Sequence, residues 1–308
     1  MNNRLWNIDL LKFIAIIMMV IDHIMISTVG QLSNPWQLLY FSFVPLCQMA
    51  FLLSSGYLLA RLWQPGRWRW YAWRAAELAL LFIGMSWAVG ESLLGSQSIL
   101  MSFALSIVIV MPFLQWHKIP WLWWVIALFI GLDILMWQQG GHGWGQAWLS
   151  DYSYPVNSYG LYFILGALLA HYQDRWRAWW HKKSVGLLAL ALLCFYPLFF
   201  FSGIIINKYN LYWHLPWLVA VSTYLGWYAI YHWPTTTPRG WGWISRVADA
   251  LLWIYVVHYI VLFGWATKHD WQWWQASLAV LFIIIVLSYT KKAWLQWRQA
   301  RKHILAAS

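Results

Sequence analysis

The sequence is short of charge. Only 9% of its 308 residues are Asp, Glu, Lys or Arg, where a soluble domain carries about 25%. A chain so poor in charge cannot cover its surface for water, so most of its solvent is lipid. It is also short of acid, with 9 Asp and Glu against 20 Lys and Arg. The net charge of +11 would suit nucleic acid. However, the basic residues stand at the ends of apolar runs, where the positive-inside rule places them, and no nucleic-acid partner is expected. Cysteine is scarce: Cys47 and Cys194 both lie inside apolar runs, which argues against a disulfide framework and against a metal site. No cleavable leader is expected, because the first apolar run starts near Ile8, is too long for a signal-peptide core and lacks a small-residue cleavage pattern. The alternating ten-residue segments of a membrane β-barrel are missing too.

What is there is 62% hydrophobic residues and 30 Trp. The apolar runs are continuous and about 20 residues long, the length a helix needs to cross the hydrocarbon layer. Ten spans are expected, near 8–29, 38–60, 71–90, 98–115, 119–137, 155–172, 185–205, 211–231, 248–267 and 272–290. The expected fold is all-α, a single polytopic transmembrane domain over 1–308. Many Trp flank the runs, among them Trp63, Trp68, Trp70, Trp73, Trp176 and Trp179. An indole at the headgroup level keeps its ring apolar and its N–H wet. Counting Lys and Arg by loop gives seventeen on one side of the membrane and only Lys208 and Lys268 on the other, with Lys12 inside the first span. This places both termini in the cytoplasm. The longest loop on the far side, 138–154, is Gly-rich and polar; it could lid a site or simply connect.

Ionisable groups inside a bilayer cost roughly 2.5–3.5 kcal/mol each at a helix centre, so they usually face a cavity and serve a function. The first span has Asp9, Lys12, Asp22 and His23. Lys12 and His23 are eleven residues apart, which puts them within about 20° of one helix face and about 16 Å apart along it. Asp9 is one turn below Lys12 and could pair with it. Lys12 could hold the phosphates of a nucleotide-bearing donor, or snorkel to an interface. His23 could be a general base or a hydrogen-bonded core histidine. Asp22 points about 100° away and more naturally meets a neighbouring helix. In the ninth span Tyr255 and His258 are i,i+3 neighbours, able to bind a ligand or to lock helices together. Ser54, Ser55 and Gly56 interrupt the second span, and small residues of this kind let helices approach closely.

The stretch "DLLKFIAIIMMVIDHI" (9–24) resembles the opening helix of TraX-type proteins, which are associated with pilin acetylation. It is similar, more distantly, to acyltransferase family 3, with Lys12 where that family has an Arg. "VPLCQMAFLLSSGYLLAR" (44–61) resembles the second helix of both families. "SILMSFAL" (98–105), "NSYGLYFILGALLAHY" (157–172) and "IYVVHYIVL" (254–262) resemble TraX segments in the same order. The resemblance implies a multi-pass acyltransferase of the bacterial inner membrane. It would use acetyl-CoA, without a metal, to acylate a pilin amine or a cell-envelope polysaccharide hydroxyl. It further implies that His23 is catalytic with Asp22 in support, and that Lys12 contacts the donor. Tyr255 and His258 would line the cavity, as would Ser158 and Tyr159 of a shared Ser-Tyr-Gly. The rival readings are a transporter-like flippase and a non-catalytic assembly factor for pili or envelope. The charge count makes a direct prediction. Green fluorescent protein fused after Ser308 should fluoresce and alkaline phosphatase fused there should be inactive; the reverse pattern would refute the topology.

Overall fold

In a computed structural model, residues 5–28, 50–91, 93, 99–138, 156–175, 230 and 235–307 are described. Among them every regular element is helical: α1 (Trp6–Thr28), α2 (50–61), α3 (Trp68–Val89), α4 (Leu100–Gln115), α5 (Leu122–Gln138), α6 (Val156–His171), α7 (Gly242–Tyr259) and α8 (Trp273–Ala307). Short 3-10 turns precede α3 and α5. Three helices are long and apolar enough to cross a membrane, covering Pro65–Val89, Gly242–His269 and Trp273–Lys291, and Leu100–Gln115, Ile119–Leu132 and Tyr159–His171 are shorter apolar helices. α1 has 23 residues, about 34 Å of helix, and so matches the layer in length while carrying the charged residues noted above. The seventh expected span, the eighth apart from residue 230, the loop 139–154 and both cysteines lie outside the described residues.

Two boundaries differ from the sequence reading. α7 begins at Gly242, six residues before the expected start at 248, because the segment with Ser245, Arg246 and Asp249 is polar enough to fall outside a hydropathy window yet packs as helix. α8 continues to Ala307 instead of ending near 290. Its 35 residues amount to about 52 Å of helix, more than the roughly 30 Å hydrocarbon core, so the basic stretch from Lys291 onward continues the helix beyond the apolar layer.

The chain forms two compact units, Met1–Leu32 with Trp233–Ser308, and Ser33–His232. The second unit holds α2 to α6. Here α2 and α6 meet backbone to backbone. A Cβ added at Gly56 would stand 1.9 Å from the Phe163 carbonyl oxygen, and one at Gly166 would stand 2.0 Å from that of Leu53. Only glycine permits this approach, as at other close helix crossings in membranes. Phe103 of α4 closes the contact from the side, with its ring centroid 5.5 Å from that of Phe51 and 5.3 Å from that of Phe163. The C-terminal ends of α2 and α6 are tied by polar groups: Arg61 Nη1 donates to the Tyr57 hydroxyl at 2.7 Å and to Gln173 Oε1 at 3.1 Å.

In the first unit, α1 packs on α7, and α7 packs on α8. The contacts fix the direction of α1 and α7. Trp6 meets Trp241, Asp9 meets Ser245 and His23 meets His258, so position rises along both helices together and they run parallel. Arg246 of α7 lies over the Tyr289 ring of α8 at 5.5 Å. Exposed Trp68, Trp70 and Trp73 open α3 beside Arg67, Arg69 and Arg74, and exposed Trp121 stands beside Lys118, the pairing of indoles and cations that anchors helices at an interface. Trp63 departs from this pattern and stacks on Tyr71, centroids 4.6 Å apart.

Replacing Gly166 by Leu forces a branched side chain into backbone atoms. A cost of more than about 3 kcal/mol is expected, read as loss of the monodisperse peak of the detergent-solubilised protein on gel filtration. A Gly166→Leu protein as stable as the parent would show that the α2–α6 contact is wrong.

Candidate functional site

Two polar residues of α1, Asp9 and His23, meet α7, the first of them close to the start of both helices. Ser245 Oγ donates to Asp9 Oδ2 at 2.8 Å. The hydroxyl of α7 is thus one partner of Asp9. Asn7 is buried, and its Oδ1 accepts the backbone N–H of Ile8. One turn above Asp9, Lys12 is half-buried. Its neighbour Phe13 sets its ring edge-on to Trp243 at 4.9 Å.

At the other end of α1, His23 is 3% exposed and His258 of α7 is fully buried. Imidazole nitrogens taken out of water need partners, and these two supply each other: His23 Nδ1 and His258 Nε2 are 2.9 Å apart. Their ring planes are 17° apart with centroids at 5.0 Å. A nitrogen pair at 2.9 Å between nearly parallel rings is an edge-to-edge hydrogen bond, because stacked faces would hold the atoms farther apart. The outer nitrogen of the pair is tied down as well, since His258 Nδ1 donates to the Ile254 carbonyl at 2.6 Å. This carbonyl is one helical turn back, and the bond holds the ring against its own helix.

Aromatic rings surround the pair. Tyr259 and Phe263 set their rings edge-on to His23, with centroids at 5.5 and 5.3 Å. Tyr255 is tilted against it at 6.2 Å and packs on His258 at 5.7 Å. Just past His258 the helix widens into a π-helix, Ile260–Ala266, in which hydrogen bonds run i→i+5. Phe263 belongs to this widened segment. Asp22, the residue before His23, is 1% exposed, and His23 Nδ1 meets the His258 imidazole.

Of the residues singled out from sequence, His23, His258 and Tyr255 are brought together, with Lys12 lower on the same helix. Ser158 and Tyr159 lie at the start of α6, in the other unit, where Tyr159 is buried. Sequence reasoning passed over Tyr259 and Phe263. Tyr259 follows Tyr255 at i+4 and shares its face, so the signal was present. The carbonyl of Ile254 could not have been named from side-chain chemistry at all.

The described residues contain no cluster of three His, Cys, Asp or Glu that could hold a metal ion, and the two imidazoles here point their nitrogens at each other instead of at a common centre.

Comparison with known proteins comes from families only. Residues 97–291 match the family described as an acyltransferase domain. Residues 4–179 match the one described as the catalytic part of heparan-alpha-glucosaminide N-acetyltransferase. No curated protein and no solved structure matches. The first match covers well over half of the chain and reaches through α7 into α8; the second also covers more than half and includes α1. This chain belongs to the acyltransferase 3-like superfamily of membrane acyltransferases.

Proposed function

We propose that the protein transfers an acetyl group from acetyl-CoA to a cell-envelope glycan at the bacterial inner membrane, with His23 as the general base. The observation that carries this is the buried imidazole pair on α1 and α7, in a chain of acyltransferase family. A glycan acceptor is favoured over a pilin amine because one matched family is described as acetylating a glucosaminide nitrogen. Sugar amines and hydroxyls alike need a proton removed as they attack.

The reaction follows from this assignment. The acceptor N–H or O–H gives its proton to His23 Nε2 as its heteroatom bonds to the thioester carbonyl carbon. The C–S bond then breaks, and the sulfur leaves as the CoA thiol after taking a proton back from His23. Acetate is never free, and no oxidant or reductant is needed. Lys12 has the chemistry for the donor's phosphates: its ammonium is a point charge on a flexible stem, set about 16 Å along α1 from His23. The parallel course of α1 and α7 agrees with the topology read from charge, in which both leave the cytoplasmic face, so that Lys12 is nearer the donor's side and His23 deeper.

A general base contributes about 10²–10⁴-fold to rate. His23→Gln keeps a polar side chain of similar size but removes the base. Membranes carrying the parent should move labelled acetyl from acetyl-CoA into envelope glycan. The variant, at equal protein level, should lose at least about 100-fold. Undiminished transfer by His23→Gln would end this assignment, and label appearing in pilin instead of glycan would overturn the acceptor.

A further inference from the structure

We infer that His258 is a positioning residue: it fixes which nitrogen of His23 carries the lone pair, and so makes His23 Nε2 the basic atom. The inference rests on the acyl-transfer reading above and replaces the ligand-binding part that the sequence suggested for His258.

A carbonyl oxygen has no hydrogen and only accepts, so the 2.6 Å contact between the Ile254 oxygen and His258 Nδ1 requires a hydrogen on that nitrogen. A neutral imidazole carries one hydrogen, so His258 Nε2 is the acceptor. This nitrogen is 2.9 Å from His23 Nδ1, and His23 must therefore donate from Nδ1. The same count then leaves the lone pair of His23 on Nε2. The order is carbonyl, His258, His23, with every hydrogen pointing back toward Ile254.

The chain also acts when His23 takes up a proton. The new hydrogen goes on Nε2, while Nδ1–H continues to point at the lone pair of His258. The positive charge that develops on the ring thus faces a hydrogen-bond acceptor, which faces a peptide dipole. In Ser-His-Asp triads a carboxylate holds the tautomer and stabilises the imidazolium. Here a neutral ring and a carbonyl hold the tautomer in the place a carboxylate takes in the triad, which suits a helix interface where an unpaired charge would cost several kcal/mol. The rings of Tyr255, Tyr259 and Phe263 around the pair restrict both imidazoles to this edge-to-edge arrangement.

Two readouts test this on the full-length protein in nanodiscs. The first is the 15N spectrum of protein labelled at histidine, with the His23 signals identified by their loss in His23→Gln. In the parent, His23 should be protonated on Nδ1 and not on Nε2; the opposite pattern would overturn the inference. In His258→Leu the His23 ring should shift to a mixture of tautomers. The second readout is the split between kcat and KM. Leu at 258 should lower kcat at least 100-fold with KM for acetyl-CoA nearly unchanged, and a raised KM with kcat preserved would instead mark His258 as a ligand contact. His258→Gln should recover kcat to within tenfold of the parent, because its amide oxygen reaches the position of Nε2 and can accept from His23. His258→Asn reaches only the position of Nδ1 and should fail. Equal rates for Gln and Asn would refute the proposed role, and this comparison stands even if the Leu variant does not fold. The spectrum needs no turnover: a parent with the expected tautomer but no acetyl transfer would sink the proposed reaction and leave the tautomer assignment intact.

Discussion

Two imidazoles that lose water on folding have few ways to remain satisfied, and the contact between His23 and His258 is this chain's solution. It holds residues far apart in sequence, one on the first helix and one near the end of α7, at a depth where a polar atom without a partner would cost a few kcal/mol. The rest of the first unit serves this contact. Asp9 and Ser245 set the register of the same two helices at their lower ends. The aromatic rings of α7 and of the π-helix beyond it wall the pair. A buried polar pair specifies one arrangement of helices more strictly than apolar packing does, because a slip of one residue would orphan both partners at once.

Parallel packing of α1 and α7 constrains the whole chain. Helices that cross in the same direction require an odd number of crossings between them. The charge count, which alternates by loop from Arg4 to the basic stretch after Lys291, asks for the same. The crossing of α2 and α6 in the other unit rests on a different principle. Two glycines let the backbones touch, and dispersion between closely fitted surfaces does what the hydrophobic effect cannot do inside lipid, with Arg61 and Gln173 tying the helix ends.

Much of this was legible in the residues. Charge scarcity, continuous apolar runs and flanking Trp gave the all-helical membrane class. A separation of eleven positions from Lys12 to His23 puts a cation and an imidazole on one stripe, and the buried position of His23 agrees with that stripe facing inward. The i,i+3 spacing of Tyr255 and His258 marked a second polar patch. Three things could not be read. The meeting of His23 with His258 is a contact between distant segments, and periodicity within either helix cannot reveal it. The Ile254 carbonyl is a backbone atom that every residue has. The extra length of α8 follows from helix propensity in a polar segment, which a search for apolar runs discards. Gly56 was read as a close-approach residue, but its partner Gly166 on α6 was not, since glycine is common in membrane helices and only geometry tells which one is needed.

The central claim is that His23 Nε2 takes the acceptor's proton as the acceptor attacks the acetyl carbonyl. The most direct measurement is an experimental structure in lipid nanodiscs with a non-hydrolysable acetyl-CoA analogue and an acceptor sugar bound. The account predicts the acceptor nitrogen or oxygen within hydrogen-bond reach of His23 Nε2, about 2.6–3.2 Å, with the acyl carbonyl about 3–3.5 Å beyond it. An acyl group held elsewhere, with His23 sealed between helices in the ternary complex, would contradict it.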